Sequence, residues 1–147
     1  MTEKEEFLEL FRAVQPKFSR FYASILTTAD LTLPQYALLN QLANLGEVPM
    51  TEISSELHVS KPAVTHVVDR LEQKKFLKRL RHPKDRRVYL LQIQSKGKQV
   101  VRKIQDQVLH FMLKTIDQLK REEKRSVIRF YALLSQTIDE TLSKLEP

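Results

Sequence analysis

The chain of 147 residues contains no cysteine and only two glycines. Without cysteine there is no disulfide, thiolate zinc site, iron–sulfur cluster or cysteine nucleophile, and no thiol with which to sense oxidants. Gly46 and Gly97 are too far apart to build a phosphate-binding loop or a dinucleotide-binding fingerprint. Nucleotide-binding enzymes of those two classes are therefore excluded.

Long apolar runs are also missing. Residues 1–6 are charged and mostly acidic, unlike the start of a signal peptide, and no stretch of about 18 apolar residues follows. We therefore expect a cytoplasmic protein that has no membrane partner. The length is that of one ordinary domain, or of one domain that shares part of its core with a partner chain.

The chain also lacks residue pairs at the spacing that is typical of a catalytic site or a metal site. No nucleophile lies at a recognisable distance from a general base, so we predict a protein that is not an enzyme. The four histidines, at positions 58, 66, 82 and 110, do not pair at the spacing of helical metal ligands. We expect neither a metal site nor a cofactor.

The chain carries an excess of positive charge, and this charge is concentrated in one segment. Lys and Arg number 25 against 18 Asp and Glu, which gives a formal charge of +7. Between His58 and Lys103 there are 14 basic and three acidic residues, so the remainder of the chain is net acidic. This segregation predicts a lobe that binds a polyanion such as double-stranded DNA, joined to a region with another task such as assembly.

The N-terminal third is predicted to be helical. Apolar residues recur every three or four positions from Glu3 to Leu26, and Pro16 predicts either a kink or two helices that meet there. A second helix is expected to start after Thr32, which can cap it, and to stop at Gly46. Residues 48–50 are too few for more than a connector or a brief edge strand.

Two short helices follow, at residues 51–57 and from Ser60 to about Lys74. Only His58-Val59 separates them, so they must cross steeply, as in a helix-turn-helix. Ser60 can cap the second of them. One side of this second helix is apolar and is expected to face the core: Val64, Val67, Val68 and Leu71.

After Phe76 the pattern changes from helix to strand. Two short apolar segments flank residues 82–86, a polar stretch that contains a proline, and this predicts a β-hairpin with a basic tip. A hairpin directly after a helix-turn-helix is a wing. Ser95 can cap a long helix that follows, and a further helix is predicted from about Arg121 to Leu145.

The terminal helices carry more apolar surface than a small winged domain can cover. Burial against a second copy is the economical solution, and two-fold dimers are the commonest assembly of this kind. We therefore expect a homodimer. The alternative is a monomer in which the first, fifth and sixth helices form a bundle of their own.

Four segments of the sequence resemble the corresponding segments of the MarR family of winged-helix transcriptional regulators. They are Leu31–Leu39, Ser60–Glu72, Asp85–Arg87 and Gln94–Gly97. The family's wing pattern, Asp-x-Arg, is matched by Asp85 and Arg87. The Leu-Thr-x-x-Gly that usually closes the wing reads Ile93-Gln94-Ser95-Lys96-Gly97 here, with Ser95 shifted into the capping role.

The resemblance implies a mainly α fold of the α+β type, with a winged helix-turn-helix at residues 31–97. Long N- and C-terminal helices at 1–30 and 98–147 would form the dimerisation region. The implied function is sequence-specific DNA binding and transcriptional regulation, by a homodimeric repressor at a pseudo-palindromic operator. Two recognition helices related by a two-fold axis would reach half-sites about 10 base pairs apart.

The DNA-contacting residues that the resemblance implies lie in two groups. In the recognition helix, opposite the valine face, they are Ser60, Lys61, Thr65, His66 and Arg70. In the wing they are Lys84, Asp85, Arg86 and Arg87. One wing arginine is expected to enter the minor groove, and because adjacent strand residues point to opposite faces, the choice between Arg86 and Arg87 stays open.

Four aromatic residues are candidates for the cleft where members of the family bind small lipophilic or aromatic effectors: Phe11, Phe18, Tyr22 and Tyr36. Such residues are also typical of a core. The family's zinc-sensing branch needs a His-x-x-x-His, which reads His110-x-x-x-Lys114 here, and its peroxide-sensing branch needs a cysteine. Two other functions stay open, a winged-helix adaptor for an acidic protein and an architectural protein that binds DNA without specificity.

Overall fold

The computed structural model describes residues 1–57 and 59–145. In these ranges the elements are α1 Glu3–Thr28, α2 Leu33–Leu45, β1 Glu47–Pro49, α3 Met50–Glu56, α4 Lys61–Gln73, β2 Leu77–Arg81, β3 Tyr89–Ile93, α5 Ser95–Ile116 and α6 Arg121–Leu145. The predicted fold, mainly helical with a winged helix-turn-helix, is confirmed. The predicted turn at His58 and the last two residues of the predicted C-terminal dimerisation region lie outside the described residues.

The chain forms two compact units, one from Met1 to Val108 and one from Leu109 onward. The first contains α1 to α4, the sheet and most of α5, and it holds the hydrophobic core. The second contains the end of α5 and all of α6, and no described residue of α6 is buried. Within the described ranges, no helix combines the length and the apolar content that a bilayer crossing requires.

The core of the first unit draws on the helices around the sheet and on the two longer strands. Its most deeply buried side chains are Leu38, Leu39, Leu42, Ile53, Val68, Leu71, Leu77, Leu91, Val101 and Ile104. The predicted apolar side of α4 is confirmed, because all four of its members are buried. This burial fixes which side of α4 remains available to a ligand.

The starts of α2 and α4 confirm the predicted caps. The N–H of Thr32 donates to Gln35 Oε1 at 3.0 Å and the N–H of Gln35 donates to Thr32 Oγ1 at 3.4 Å, which is a complete capping box. Ser60 Oγ accepts the N–H of Ala63 at 3.3 Å. Gly46 ends α2 with a φ of +84°, a backbone conformation that favours glycine.

Of the expectations about the long helices, the alternative of two helices that meet at Pro16 and the cap at Ser95 are wrong. The helix α1 is continuous from Glu3 to Thr28, so two helices do not meet at Pro16, because a proline removes only one hydrogen bond and the flanking turns continue. Ser95 is the first residue of α5 and not its cap. The N–H of Gln94 donates to the Phe76 carbonyl oxygen at 2.8 Å, which holds Gln94 at the end of the sheet and makes it the residue before the helix.

The sheet has three antiparallel strands in the order β1-β3-β2. Leu91, in the middle of β3, lies opposite Val48 on one side and Arg79 on the other. The predicted brief edge strand is confirmed as β1, and Pro49 is tolerated there because an edge strand has one side without ladder hydrogen bonds. The strands β2 and β3 are the two arms of the predicted wing.

Gly97 marks the place where α5 approaches the wing most closely. A Cβ at this position would overlap the Phe76 carbonyl oxygen and would lie 2.9 Å from Cγ1 of Ile93. The missing side chain therefore lets the first turn of α5 pack directly against the residue that precedes β2.

Gly97→Ala is expected to lower the free energy of unfolding by about 1–3 kcal/mol, because the added methyl group forces the backbone apart. Lys98→Ala changes the adjacent, exposed residue of the same turn and should stay within about 0.5 kcal/mol of the parent. Urea denaturation of both variants at one protein concentration measures the difference. Equal stability of the two variants would contradict the close packing.

Candidate nucleic-acid interface

The N-terminal half of α4 presents a polar surface opposite the buried valines. Lys61, Thr65 and His66 are exposed there. The Thr65 hydroxyl donates to the Lys61 carbonyl oxygen at 3.3 Å, which holds the threonine side chain along the helix. The Ser60 hydroxyl caps the helix and so has a structural task of its own.

An arginine on β2 joins α4 to the wing. Arg79 donates through its guanidinium to the carboxylates of Asp69 and Glu72, both on α4. The backbone N–H of Arg79 also donates to Glu72 Oε1, at 3.2 Å. Glu72 therefore satisfies a donor on the outer edge of β2, and three hydrogen bonds link the recognition helix to this strand.

The Arg79 side chain is only 18% exposed, whereas Asp69 and Glu72 are 51% and 42% exposed. Burial lowers the pKa of Arg79, but the hydrogen bond to Asp69 and the charges of both carboxylates outweigh it and the net shift is upward. The arginine is thus fixed as a cation at the junction. It pairs with two carboxylates that would otherwise leave unpaired negative charge on this surface.

The tip of the wing is organised by its own side chains. His82 Nδ1 accepts the N–H groups of Lys84 and Asp85, each at 3.2 Å. Asp85 Oδ1 in turn accepts the N–H of Arg87 at 3.0 Å and its Nε at 3.3 Å. Lys84 and Arg86 are exposed and make no ion pair within the described ranges.

The recognition helix and the wing share one cleft of about 200 Å³. The cleft lies between α3, α4 and the wing, and its lining includes Lys61, Thr65 and Arg87 together with Thr51, Ser54 and Tyr89. Predicted residues from both groups are therefore close together. The Asp85 contact holds Arg87 on this side, so Arg87 and Arg86 differ in their surroundings.

Arg70 is separated from these residues. It lies nine positions after Lys61, which is half a helical turn around α4. With Lys74 it lines a different groove, beside the end of α1 and the start of α2. The structure thus places the predicted recognition residues on two flanks of the helix.

The three acidic residues of the basic segment are all paired with arginine. Asp69 and Glu72 pair with Arg79, and Asp85 pairs with Arg87. The remaining lysines and arginines of the recognition helix and the wing make no ion pairs in the part of the chain that the structure describes: Lys61, Arg70, Lys78, Arg81, Lys84 and Arg86. The net charge of this face is strongly positive as a result.

The predicted effector residues form an aromatic series in α1 and α2. Phe18 and Tyr22 have ring centroids 6.1 Å apart, and Tyr22 and Tyr36 meet edge to face at 5.9 Å. Tyr36 is buried in the core, and burial raises the pKa of its phenol above the ordinary value. Phe11 lies further along α1, 52% exposed and stacked on Phe7.

No group of three or more metal-ligating side chains occurs in residues 1–57 and 59–145. His82 serves as an acceptor within the wing. His66 is exposed on α4 and His110 is exposed on α5, and His58 lies outside the described residues.

Three residues of this surface, Arg79, Glu72 and Tyr89, were not predicted from the sequence. Tyr89 lies opposite Arg81 across the two arms of the wing, with the guanidinium carbon 5.9 Å from the ring centroid. A signal for the other two was available, because only three acids occur in the basic segment. An isolated acid in such a segment indicates a pairing that positions a neighbouring element.

Comparisons with known proteins agree with this geometry. A model of the MarR family matches residues 31–89. The HTH-type transcriptional regulator MhqR of Bacillus subtilis is 36% identical over 104 residues, which are 66% of this chain and 68% of that protein. The HTH-type transcriptional repressor MdtR of B. subtilis is 33% identical over 88 residues, or 60% of this chain and 54% of that protein.

Among solved structures, the transcriptional regulator Tm0710 of Thermotoga maritima is similar over 95% of this chain and 98% of its own. It is 27% identical, and the TM-score is 0.75. The matching family model covers α2 to the start of β3, which are the elements that build the shared cleft.

Arg79→Met is expected to lower the free energy of unfolding by about 1–2 kcal/mol, because it leaves Asp69 and Glu72 close together without a cation. Lys78→Met, on the same strand but exposed and without an ion pair to any described residue, is the matched control and should change stability by less than about 0.5 kcal/mol. Chemical denaturation measures both. Indistinguishable variants would mean that Arg79 does not stabilise the junction.

Proposed function

The chain belongs to the MarR family of DNA-binding transcriptional regulators, and on that premise we propose that it is a homodimeric repressor of a pseudo-palindromic operator. The observation that carries the proposal is the cleft shared by Lys61, Thr65 and Arg87, since it unites a helix and a wing in one cationic surface. The similarity to a relative named as a repressor supports repression as the sign of regulation.

The contacts proposed for the recognition helix follow from its side chains. Lys61, Thr65 and His66 would face base edges and phosphates in the major groove, where a threonine methyl can also meet a thymine methyl. Arg70 would contact DNA from the other flank of α4. Ser60 would contribute chiefly by capping the helix.

In the wing we assign the minor-groove contact to Arg87. Asp85 pre-orients its side chain through Nε and the backbone N–H, and such pre-organisation lowers the entropic cost of binding. Lys84 and Arg86, exposed and without ion pairs, would contact phosphates. A narrow A·T-rich minor groove attracts an inserted arginine most strongly.

The dimer is supported by apolar side chains that a single chain leaves exposed. In α6 they recur at helical spacing and include Tyr131, Leu134, Ile138 and Leu142, which are 40–53% exposed. In α1 they include Phe7, Phe11 and Val14 at 50–54%. Residues 1–30 and 98–147 are the proposed dimerisation region, and its two-fold axis would space two α4 helices about one turn of DNA apart.

An effector is proposed at the aromatic series. Phe18, Tyr22 and Tyr36 offer a mainly apolar lining with two phenol groups, which fits a small lipophilic or aromatic molecule. Phe11, exposed further along α1, would take part where the dimer is formed.

Selection from a random duplex pool tests the function directly. An inverted repeat, with half-sites about 10 base pairs apart and an affinity well above that for scrambled DNA, is the expected result. Equal and strongly salt-dependent binding to both duplexes would instead indicate an architectural protein. Failure to bind any duplex at low salt would favour the adaptor.

Arg87→Ala should weaken binding to the selected duplex by about 1–3 kcal/mol, or roughly 5- to 150-fold, because the wing loses its oriented cation. Arg125→Ala removes an exposed charge from α6 and should leave the affinity unchanged. Titrations of both variants at three salt concentrations measure the effect. If Arg86→Ala is the costly substitution and Arg87→Ala is neutral, the assignment within the wing is wrong.

Leu134→Glu should shift the protein towards monomers, because it places a charge among the apolar residues of α6. Ala132→Glu adds the same charge about 160° around the helix and should leave the dimer intact. Sedimentation at micromolar concentration distinguishes the two. A parent protein that sediments as a monomer would overturn the assembly.

A further inference from the structure

The loop at the tip of the wing, residues 82–88, is held by one residue, His82, which is not among the residues predicted to contact DNA. Its backbone N–H donates to the Val88 carbonyl oxygen at 3.0 Å, and this bond joins the two ends of the loop. Its ring nitrogen Nδ1 accepts the N–H groups of Lys84 and Asp85, each at 3.2 Å. The residue is half-buried, whereas Lys84 is exposed. A single side chain therefore satisfies two backbone donors of the tip.

This arrangement resembles an Asx turn, in which a side-chain oxygen accepts a backbone N–H two residues further on. In the wing a ring nitrogen takes the place of that oxygen. Pro83 follows His82, and the fixed φ of a proline suits the second position of a turn. Because both hydrogen bonds come from N–H donors, Nδ1 must carry a lone pair, and the proton of the neutral ring is then on Nε2.

His82 acts on Arg87 through Asp85. The backbone of Asp85 is held twice, by its N–H on His82 and by its carbonyl oxygen, which accepts the N–H of Val88 at 3.1 Å. The Asp85 carboxylate in turn accepts the N–H of Arg87 at 3.0 Å and its Nε at 3.3 Å. The orientation of Arg87 thus depends on the position of Asp85, which depends on His82 as an acceptor.

Protonation of the imidazole removes this acceptor. In the imidazolium both ring nitrogens carry a proton and both are donors. The N–H groups of Lys84 and Asp85 would then face a third N–H group, so the ring has to turn away from them. Histidine is the side chain whose charge ordinarily changes between pH 5 and 8.

The titratable groups around His82 offer an imidazolium no free acid. They lie on the two arms of the wing and on its tip: Arg81, Lys84, Asp85, Arg86, Arg87 and Tyr89. The one acid among them, Asp85, is paired with Arg87, and the Tyr89 ring lies beside the Arg81 guanidinium. In the described ranges no ion pair joins His82 to an acid of any element.

We propose that His82 is a positioning residue for the DNA contact of the wing, and that full affinity for the operator requires its neutral imidazole. The inference rests on the proposed function, because it concerns the contact assigned to Arg87. An imidazolium also adds a positive charge, which by itself favours a polyanion. The loss of position outweighs this charge, because the ring is half-buried and the exposed Lys84 and Arg86 already serve the phosphates.

His82→Asn is the matched variant. The asparagine carbonyl oxygen can accept the same two N–H groups in an Asx turn, and it does not titrate. His82→Ala removes the acceptor at every pH. Titrations with the selected duplex at about pH 8 and about pH 5.5, at constant ionic strength, compare both variants with the parent. His66 titrates in all three proteins, so its contribution cancels in the ratios of their affinities.

Near pH 8 the parent and His82→Asn should bind equally. His82→Ala should bind about 2- to 12-fold more weakly, which is the cost of ordering one long side chain. Near pH 5.5 the parent should fall towards the affinity of His82→Ala, while His82→Asn stays ahead of both. The inference is overturned by parent-to-Asn ratios that are equal at the two pH values, by a parent that gains on His82→Asn in acid, or by a His82→Asn variant as weak as His82→Ala near pH 8.

Hydrogen exchange of the free protein separates this inference from the proposed function. Near pH 5.5 the amides of Asp85 and Arg87 should exchange faster in the parent than in His82→Asn, and near pH 8 at the same rate. Equal rates at both pH values would contradict the positioning role without any use of DNA. The expected exchange in a protein that selects no duplex would contradict the proposed function alone.

Discussion

The surface formed by the recognition helix α4 and the wing depends on the pairing of Arg79 with Asp69 and Glu72. The helix-turn-helix and the base of the hairpin share one hydrophobic core, which includes Leu71 of α4 and Leu77 of β2. The guanidinium joins them through two carboxylates, and the Glu72 side chain also accepts a backbone N–H of β2. These contacts would keep the proposed DNA-binding surface in one arrangement before DNA binds.

Pairing with arginine explains how a strongly basic segment can include three acidic residues and keep its positive surface. Each acid of the segment is held by an arginine whose position matters, Asp69 and Glu72 by Arg79 and Asp85 by Arg87. A carboxylate that is paired with an arginine competes less with DNA phosphates for cations than an unpaired carboxylate would. Arg79 thus shapes the surface, Lys61, Lys84 and Arg86 add charge without an ion pair to any described residue, and Arg87 has both roles in the proposed function.

Local patterns predicted much of the fold. The caps at Thr32 and Ser60, the valine face of α4 and the edge strand all depend on residues close in sequence, and all are confirmed. The start of α5 was missed, because it depends on a hydrogen bond from Gln94 to the Phe76 carbonyl oxygen, beyond the local pattern. The continuous α1 excludes only one of the two alternatives predicted at Pro16. For the site, helix periodicity identified the polar side of α4, and the nine positions between Lys61 and Arg70 already imply that these two residues lie on different flanks. Arg79 was missed because its partners are on another element.

The central claim is that Arg79 holds the recognition helix and the wing in one arrangement. The absence of cysteine allows spin labels to be attached at two chosen positions alone, His66→Cys on α4 and Lys84→Cys on the wing. The distance distribution between them, measured by pulsed electron spin resonance in an excess of unlabelled protein, tests the claim most directly. A narrow distribution that broadens markedly when Arg79→Met is added is the predicted result. Distributions of equal width with and without Arg79 would contradict it.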